Sequence, residues 1–234
     1  PRKESSAASD VYKRQGIKSL QYTLPESVSE EELLKLINGL NLNKDVDGIL
    51  VQLPLPKKIN TEIILNAINP SKDVDGFHIV NAANIYLNRE GVIPCTPLGC
   101  LIILRSIGQS LKGMHAVIIG RSNIVGKPMA QLLLNEDCTV TTVHSKSKNI
   151  EKIVKEADII IAAVGIPNLV NENWVKKESI IIDVGINRIN LENKTKLVGD
   201  VNFNAVQSFA SYITPVPGGV GPMTIACLLM NTVF

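Results

Sequence analysis

The stretch Ala116-Val-Ile-Ile-Gly120-Arg121-Ser122-Asn123-Ile124-Val125-Gly126-Lys127-Pro128-Met129-Ala-Gln-Leu-Leu-Leu134 decides the fold. Residues 116–119 form a short, wholly apolar run bounded by glycine, the pattern of a strand covered on both faces. Met129 to Leu134 opens a helix directly after it. Gly120 permits the tight turn between the two, and Gly126 permits close packing of helix on sheet. Backbone N–H groups and the positive helix terminus at such a turn suit a phosphate. The spacing is not Gly-x-Gly-x-x-Gly, so an ordinary strand-to-helix loop stays open as the alternative at this point.

Working outward, further strands are expected over residues 139–144, 158–164 and 179–184, with a helix over 150–157 between the first two. Trp174 reads as a core anchor between two strands. Upstream, a helix begins near Thr96-Pro97, and residues 17–24 and 48–52 read as strands. Ser29 with Glu32 makes a capping box for a helix whose Leu33, Leu34, Leu36, Ile37 and Leu40 form one stripe. A second helix over 61–68 stops at Pro70, and Asp73-Val-Asp-Gly-Phe77 follows as a loop. Residues 223–234 read as a buried helix. Alternating strands and helices imply an α/β chain with a mainly parallel sheet. Proline clusters put the domain changes near residues 94–97 and 213–217. The expected division is an N-terminal α/β catalytic domain over 1–94, completed by 215–234, and a Rossmann-like domain over 95–214.

Among the 234 residues, 24 basic and 22 acidic side chains leave a formal charge of +2, and no Lys/Arg run exceeds two. This excludes an electrostatic footprint for nucleic acid or an anionic membrane and points to small-molecule work. Cys95, Cys100, Cys138 and Cys227 show no Cys-x-x-Cys spacing, so buried thiols are expected rather than a metal cluster. No apolar run is long enough to span a membrane and no signal pattern opens the chain, so the default location is the cytoplasm. The chain starts at Pro1 without Met and ends at Phe234 inside an apolar segment, which reads as a fragment.

An NAD-binding protein places a carboxylate after the next strand to hold the ribose hydroxyls. Here that position reads His144-Ser145-Lys146-Ser147-Lys148. With no carboxylate to repel a 2′-phosphate, and with Arg121, Ser122 and Ser145 to bind one, NADP is the expected cofactor. Gln52 and Asp75 lie where open α/β sheets put ligand groups, and a carboxylate there can accept two N–H bonds from an amino-pyrimidine edge. A plain Asp-Gly turn is the alternative for Asp75. Three glycines and three prolines within Thr214-Pro-Val-Pro-Gly-Gly-Val-Gly-Pro-Met-Thr224 make a rigid loop suited to a flat ligand. His78, His115 and His144 read as surface or satisfied core residues.

Val51-Gln-Leu-Pro-Leu-Pro56, Lys72-Asp-Val-Asp-Gly-Phe77, Gly120 to Pro128, Asp183-Val-Gly-Ile-Asn187 and Thr214 to Thr224 together resemble the bifunctional methylenetetrahydrofolate dehydrogenase/cyclohydrolase family. The resemblance implies a two-domain homodimer that binds tetrahydrofolate derivatives between its domains and oxidises them with NADP. It further implies that Asp75 holds the pterin ring, that Gln52 supports a catalytic lysine, and that Pro217 and Gly221 line the folate pocket. Gly120, Arg121, Ser122, Ser145 and Ile186 match the family's NADP contacts. The implied reaction removes hydride from the carbon bridging two folate nitrogens, then adds water to open the ring to 10-formyltetrahydrofolate. Hydride loss is driven by the nitrogen lone pairs and needs positioning, whereas hydrolysis needs a lysine as general acid and base.

The chain departs from the family at that lysine. The pattern is Tyr-x-x-x-Lys, with the lysine eight residues before the glycine matching Gly16, which puts Ala8 at the lysine and Glu4 at the tyrosine. Tyr12 and Lys13 are adjacent and point about 100° apart on a helix, so they do not replace an i, i+4 pair. Two other readings follow: a non-catalytic NADP or folate binder, and a Rossmann oxidoreductase of the shikimate dehydrogenase type. The latter needs a Lys/Asp pair in the first domain that the sequence does not offer.

Overall fold

The computed structural model describes residues 15–191 and 194–233, so Glu4, Ala8, Tyr12 and Lys13 lie outside the described residues. Helix α1 (Glu30–Leu42) starts at the expected capping box. Ser29 Oγ accepts from the Glu32 N–H at 3.2 Å while Glu32 Oε2 accepts from the Ser29 N–H at 2.8 Å. At its far end, Lys72 Nζ donates to the carbonyls of Leu40, Asn41 and Asn43 at 3.2, 3.0 and 2.7 Å, a cation closing the negative helix terminus. Helix α2 (Thr61–Ala67) is capped by Asn60. Leu33 and Ile37 of α1 pack with Ile49, Ile59, Ile64 and Ile68 in a small core of their own.

Two expected strands do not form. Residues 17–24 join no sheet among the described residues, and Leu20 and Tyr22 are about half exposed. Residues 48–52 contribute a single parallel bridge, Ile49 to Asp73. β-branched content favours extended backbone but cannot supply the neighbour whose hydrogen bonds make a ladder. Directly after the expected loop over 73–77, helix α3 (Ile79–Tyr86) begins, with His78 Nδ1 accepting from the Val80 N–H.

The second half follows the expected order closely. Helix α4 (Cys95–Ser106) leads to β1 (His115–Ile119), α5 (Gly126–Asn135), β2 (Thr139–Val143), α6 (Ile150–Lys155) and β3 (Ile159–Ala162). A 3₁₀ turn (Glu172–Trp174) precedes β4 (Ser179–Asp183), and Trp174 is buried as expected. An antiparallel hairpin, β5 (Asn187–Leu191) with β6 (Lys194–Val198), was not legible beforehand, nor were α7 (Phe203–Val206) and β7 (Ala210–Ile213). Helix α8 (Val220–Val233) closes the described chain.

The sheet is parallel throughout in the order β2-β1-β3-β4-β7. Alternate residues feed two cores. Ala116, Ile118, Ile159, Ile161, Ile180 and Ile182 face one, with α4, α5 and Val220 of α8. Val117, Ile119, Ile160, Ala162 and Ile181 face the other, with Trp174. Coverage on both faces is why these strands read as unbroken apolar runs. The chain reverses sheet direction at β1, which has β2 on one side and β3 on the other, so the carboxyl end of β1 is the switch point where such sheets bind ligands.

Two buried carboxylates tie that edge together. Asp183 Oδ1 accepts from the N–H groups of Gly185 and Asp200 at 3.0 and 2.9 Å, and Oδ2 from Val201 at 2.9 Å. Asp200 Oδ2 accepts from Val164 and Gly165 at 2.7 and 2.9 Å, and Oδ1 from Asn187 Nδ2 at 2.9 Å. A side chain at Gly185 would strike the Asp200 carboxylate, and one at Gly199 the Asp183 carboxylate. Asp200→Asn keeps the shape but turns an amino group toward N–H donors. The variant is expected to lose about 2–4 kcal/mol of stability, read from its urea midpoint, and a loss below about 0.5 kcal/mol would contradict this account.

Candidate functional site

The loop leaving β1 is built for close approach. Gly120 sits at φ +120° with its N–H on the Val143 carbonyl at 2.9 Å, and a Cβ there would collide with the Ala163 carbonyl. A Cβ on Gly126 would collide with the Gly120 carbonyl. Only glycine fits either place, because β1, β3 and the start of α5 pack backbone against backbone there. One expectation needs correction. The N–H groups of Val125 and Gly126 at the start of α5 are not free for a phosphate, because Ser122 Oγ accepts both, at 3.2 and 3.3 Å. The serine hydroxyl keeps one O–H to donate outward. Arg121 and Ser145 are exposed and make no hydrogen bond among the described residues. His144 serves its own turn: Nδ1 accepts from the Lys146 N–H, and its N–H reaches Ser147 Oγ. These residues fit NADP: a glycine cradle, an arginine and two hydroxyls with donors to offer, and no carboxylate from 144 to 148.

The Pro/Gly loop is as rigid as its composition implies. Val216-Pro217 is cis, Gly218 lies at φ +106°, and a Cβ on Gly219 would sit 2.6 Å from the Pro215 carbonyl. Thr214 is buried and its Oγ1 accepts from the Asp183 N–H at 2.8 Å, which fixes the loop to the end of β4. A Cβ on Gly221 would stand 3.9 Å from Ile186 Cδ1. Ile186 itself is 64% exposed. The structure therefore brings a residue expected on the folate side against one expected on the cofactor side.

Asp75 is half-buried in the turn after Asp73, and its carboxylate accepts no hydrogen bond from a described residue. Burial, helped by the neighbouring Asp73 charge, pushes it up to about 7. Asp73 is committed to structure instead, its Oδ2 accepting from the His78 N–H and Asn81 Nδ2, both at 2.8 Å. Lys72 of the same motif is likewise structural, through α1. Gln52 was expected at a strand end; it lies exposed beyond the single Ile49 bridge, its Nε2 donating only to the Leu53 carbonyl at 3.2 Å. The four cysteines are all buried and free, and burial pushes Cys95 and Cys100 up to about 12, so they remain thiols.

Sequence reasoning missed Asn231. Its Nδ2 donates to the carbonyls of Val74 and Ile93 at 3.0 and 2.9 Å. The available signal was a polar residue in the stripe Val220, Thr224, Cys227, Asn231 of α8, spaced to share one helix face.

Comparison with known proteins is consistent along the chain. The family model described as "Tetrahydrofolate dehydrogenase/cyclohydrolase, NAD(P)-binding domain" matches residues 94–234, and the corresponding catalytic-domain model matches residues 6–75. A "Bifunctional protein FolD 1/3" from Ruegeria pomeroyi is 54% identical over 233 residues, 96% of this chain and 79% of that protein. The crystal structure of a bifunctional FolD methylenetetrahydrofolate dehydrogenase/cyclohydrolase from Campylobacter jejuni superposes with a TM-score of 0.95 at 51% identity, covering 98% of this chain and 81% of that one. A FolD structure from Trypanosoma brucei, complexed with NADP cofactor and inhibitor, gives 0.94 at 38% identity, with 99% and 82% covered.

The raised Asp75 makes a stability prediction. A carboxyl whose folded value is about 7 against an ordinary 3.8 binds its proton more tightly in the folded chain. The fold therefore gains stability as pH falls from about 7 toward 4 and carries the cost of the ion above 7. Asp75→Asn removes that cost, so its melting temperature at pH 8 is expected about 2–4 °C above that of the unaltered chain, with the difference smaller at pH 5 and gone by about pH 3, below the unfolded value. A lower melting temperature at both pH values would contradict the burial argument.

Proposed function

The chain belongs to the tetrahydrofolate dehydrogenase/cyclohydrolase family, and from that premise we propose that it oxidises 5,10-methylenetetrahydrofolate to 5,10-methenyltetrahydrofolate with NADP, the step that precedes hydrolysis to 10-formyltetrahydrofolate. The observation that carries this reading is the approach of Gly221 to Ile186. A hydride transfer needs donor and acceptor carbons held in van der Waals contact, and this is where the folate loop and the cofactor edge meet.

NADP supplies the hydride acceptor when bound. Around it, Gly120 makes the tight turn out of β1, Ser122 turns its remaining O–H outward, and Arg121 with Ser145 holds the 2′-phosphate. Ile186 presents an apolar surface to the transfer path. On the folate side the Asp75 carboxylate accepts two N–H bonds from the amino-pyrimidine edge, while Pro217 and Gly221 form the wall against the ring. Asp75 is suited to this because no donor among the described residues competes for its oxygens. Gln52, exposed beside the same cleft, supports the hydrolytic step. Residues 1–94 with 215–234 form the folate-binding unit and residues 95–214 the cofactor-binding unit of one subunit of a homodimer. The same reading puts the chain in the cytoplasm, where its one-carbon products feed purine synthesis.

Two measurements test this. NADP reduction followed at 340 nm with 5,10-methylenetetrahydrofolate is expected to show dehydrogenase turnover. Hydrolysis of 5,10-methenyltetrahydrofolate is expected at no more than the uncatalysed rate, because Ala8 stands where the family lysine belongs; hydrolysis clearly above it would refute that assignment. If neither activity is found while NADP still raises the melting temperature, the non-catalytic binder replaces this reading. Arg121→Ala should raise KM for NADP about 10–100-fold, the worth of a charge-assisted phosphate contact, and leave KM for NAD within about twofold.

A further inference from the structure

We propose that Asn231, near the end of α8, is a positioning residue for folate binding that acts by holding the Asp75 turn in the cleft. The inference rests on the reading of Asp75 as the group that grips the amino-pyrimidine edge.

Asn231 lies 157 residues from Val74 in sequence, yet its Nδ2 donates to the Val74 carbonyl at 3.0 Å and to the Ile93 carbonyl at 2.9 Å. Cys95 Sγ is 3.5 Å away on the other side and itself donates to the Val74 carbonyl at 3.4 Å. Both main partners of the amide are acceptors, so the amino group must be the end that faces them. Val74 immediately precedes Asp75, and Gly76 follows at φ +73° with its Cβ position blocked by Ile93 and Pro94 backbone at 2.8 and 2.7 Å. The turn carrying Asp75 is thus gripped on both sides, by an amide on α8 and by the backbone entering α4.

The grip opposes a definite force. Asp75 sits half-buried beside the Asp73 carboxylate with no donor among the described residues. An unpaired carboxylate in that setting lowers its energy by swinging toward water. Two hydrogen bonds on the adjacent carbonyl and on the neighbouring strand of backbone hold it in place until a ligand supplies the missing donors. Val220, Cys227 and Leu228 of the same helix are buried against α4 and the first core, so α8 is a stiff arm on which the amide is mounted.

The test is a double-mutant cycle on folate affinity, measured by calorimetry with 5-formyltetrahydrofolate, a stable reduced folate. Asn231→Leu keeps the size and removes both donors. It is expected to weaken folate binding about tenfold while the Kd for NADP changes less than twofold, a split that general loss of structure does not produce. In the Asp75→Asn background the same substitution is expected to change folate binding less than twofold, because the group it positions is gone. A tenfold loss in both backgrounds, or an equal loss for folate and NADP, would overturn the positioning role. If Asp75→Asn alone leaves folate binding unchanged, the reading of Asp75 fails first and this inference falls with it. Should Asn231→Leu not fold, Asn231→Ser, too short to reach both carbonyls, carries the same expectations.

Discussion

The carboxyl edge of the sheet depends on two buried aspartates that face backbone donors rather than cations. Asp183 and Asp200 lie close enough for one to accept the other's N–H, and both are almost wholly shielded from water. Two like charges so placed repel, and burial pushes Asp183 up to about 6 even against the pull of its three N–H donors. The arrangement persists because every oxygen has a partner, which converts a costly pair into the joint between β3, β4 and the hairpin. It also explains most of Asp183-Val-Gly-Ile-Asn187: the acid anchors, the glycine makes room for Asp200, Asn187 returns to Asp200, and Ile186 is left exposed.

Asp75 is the counterpart of that joint. Both carboxylates are pushed up by burial, but Asp183 is saturated with donors and Asp75 has none among the described residues. A saturated buried acid rigidifies; an unsaturated one stores a demand for donors that a ligand can meet. The difference separates aspartates whose oxygens are used by the fold from one whose oxygens are not, without reference to where they stand in sequence. Asp73, two residues from Asp75 and more deeply buried, falls on the structural side by the same criterion.

What the sequence revealed follows the range of the forces involved. The central strands were legible because burial on both faces leaves Ala116–Ile119, Ile159–Ala162 and Ile180–Ile182 wholly apolar, and α1 was legible because its cap is satisfied within four residues. Gly120, Gly126 and the Thr214–Thr224 loop announced themselves through residue types that few other positions require. The strands expected over 17–24 and 48–52 failed because pairing needs a partner that composition does not specify. The hairpin escaped notice because its exposed, charge-bearing strands carry no apolar run and no Asn-Gly or Asp-Gly turn. Asn231 was invisible for the same reason in sharper form: its partners lie more than 130 residues away, and nothing local marks them.

Helix α8 touches the sheet core at one end and the Asp75 turn at the other. Near its start Val220 is packed into the sheet core, and Gly221 meets Ile186. One turn on, Met223 leaves no room for a side chain on Gly99, and Thr224 pairs with Thr96 at 3.0 Å. Farther along, Cys227 and Leu228 join Val74, Cys95 and Leu98, and Asn231 closes on the Asp75 turn. The spacing is one helix face read from end to end, at about 1.5 Å per residue. A rigid helix seated this way cannot tilt at the cofactor end without moving the carbonyl that Asn231 holds. The separation between Ile186 and the turn that carries Asp75 is therefore set by a single packed helix.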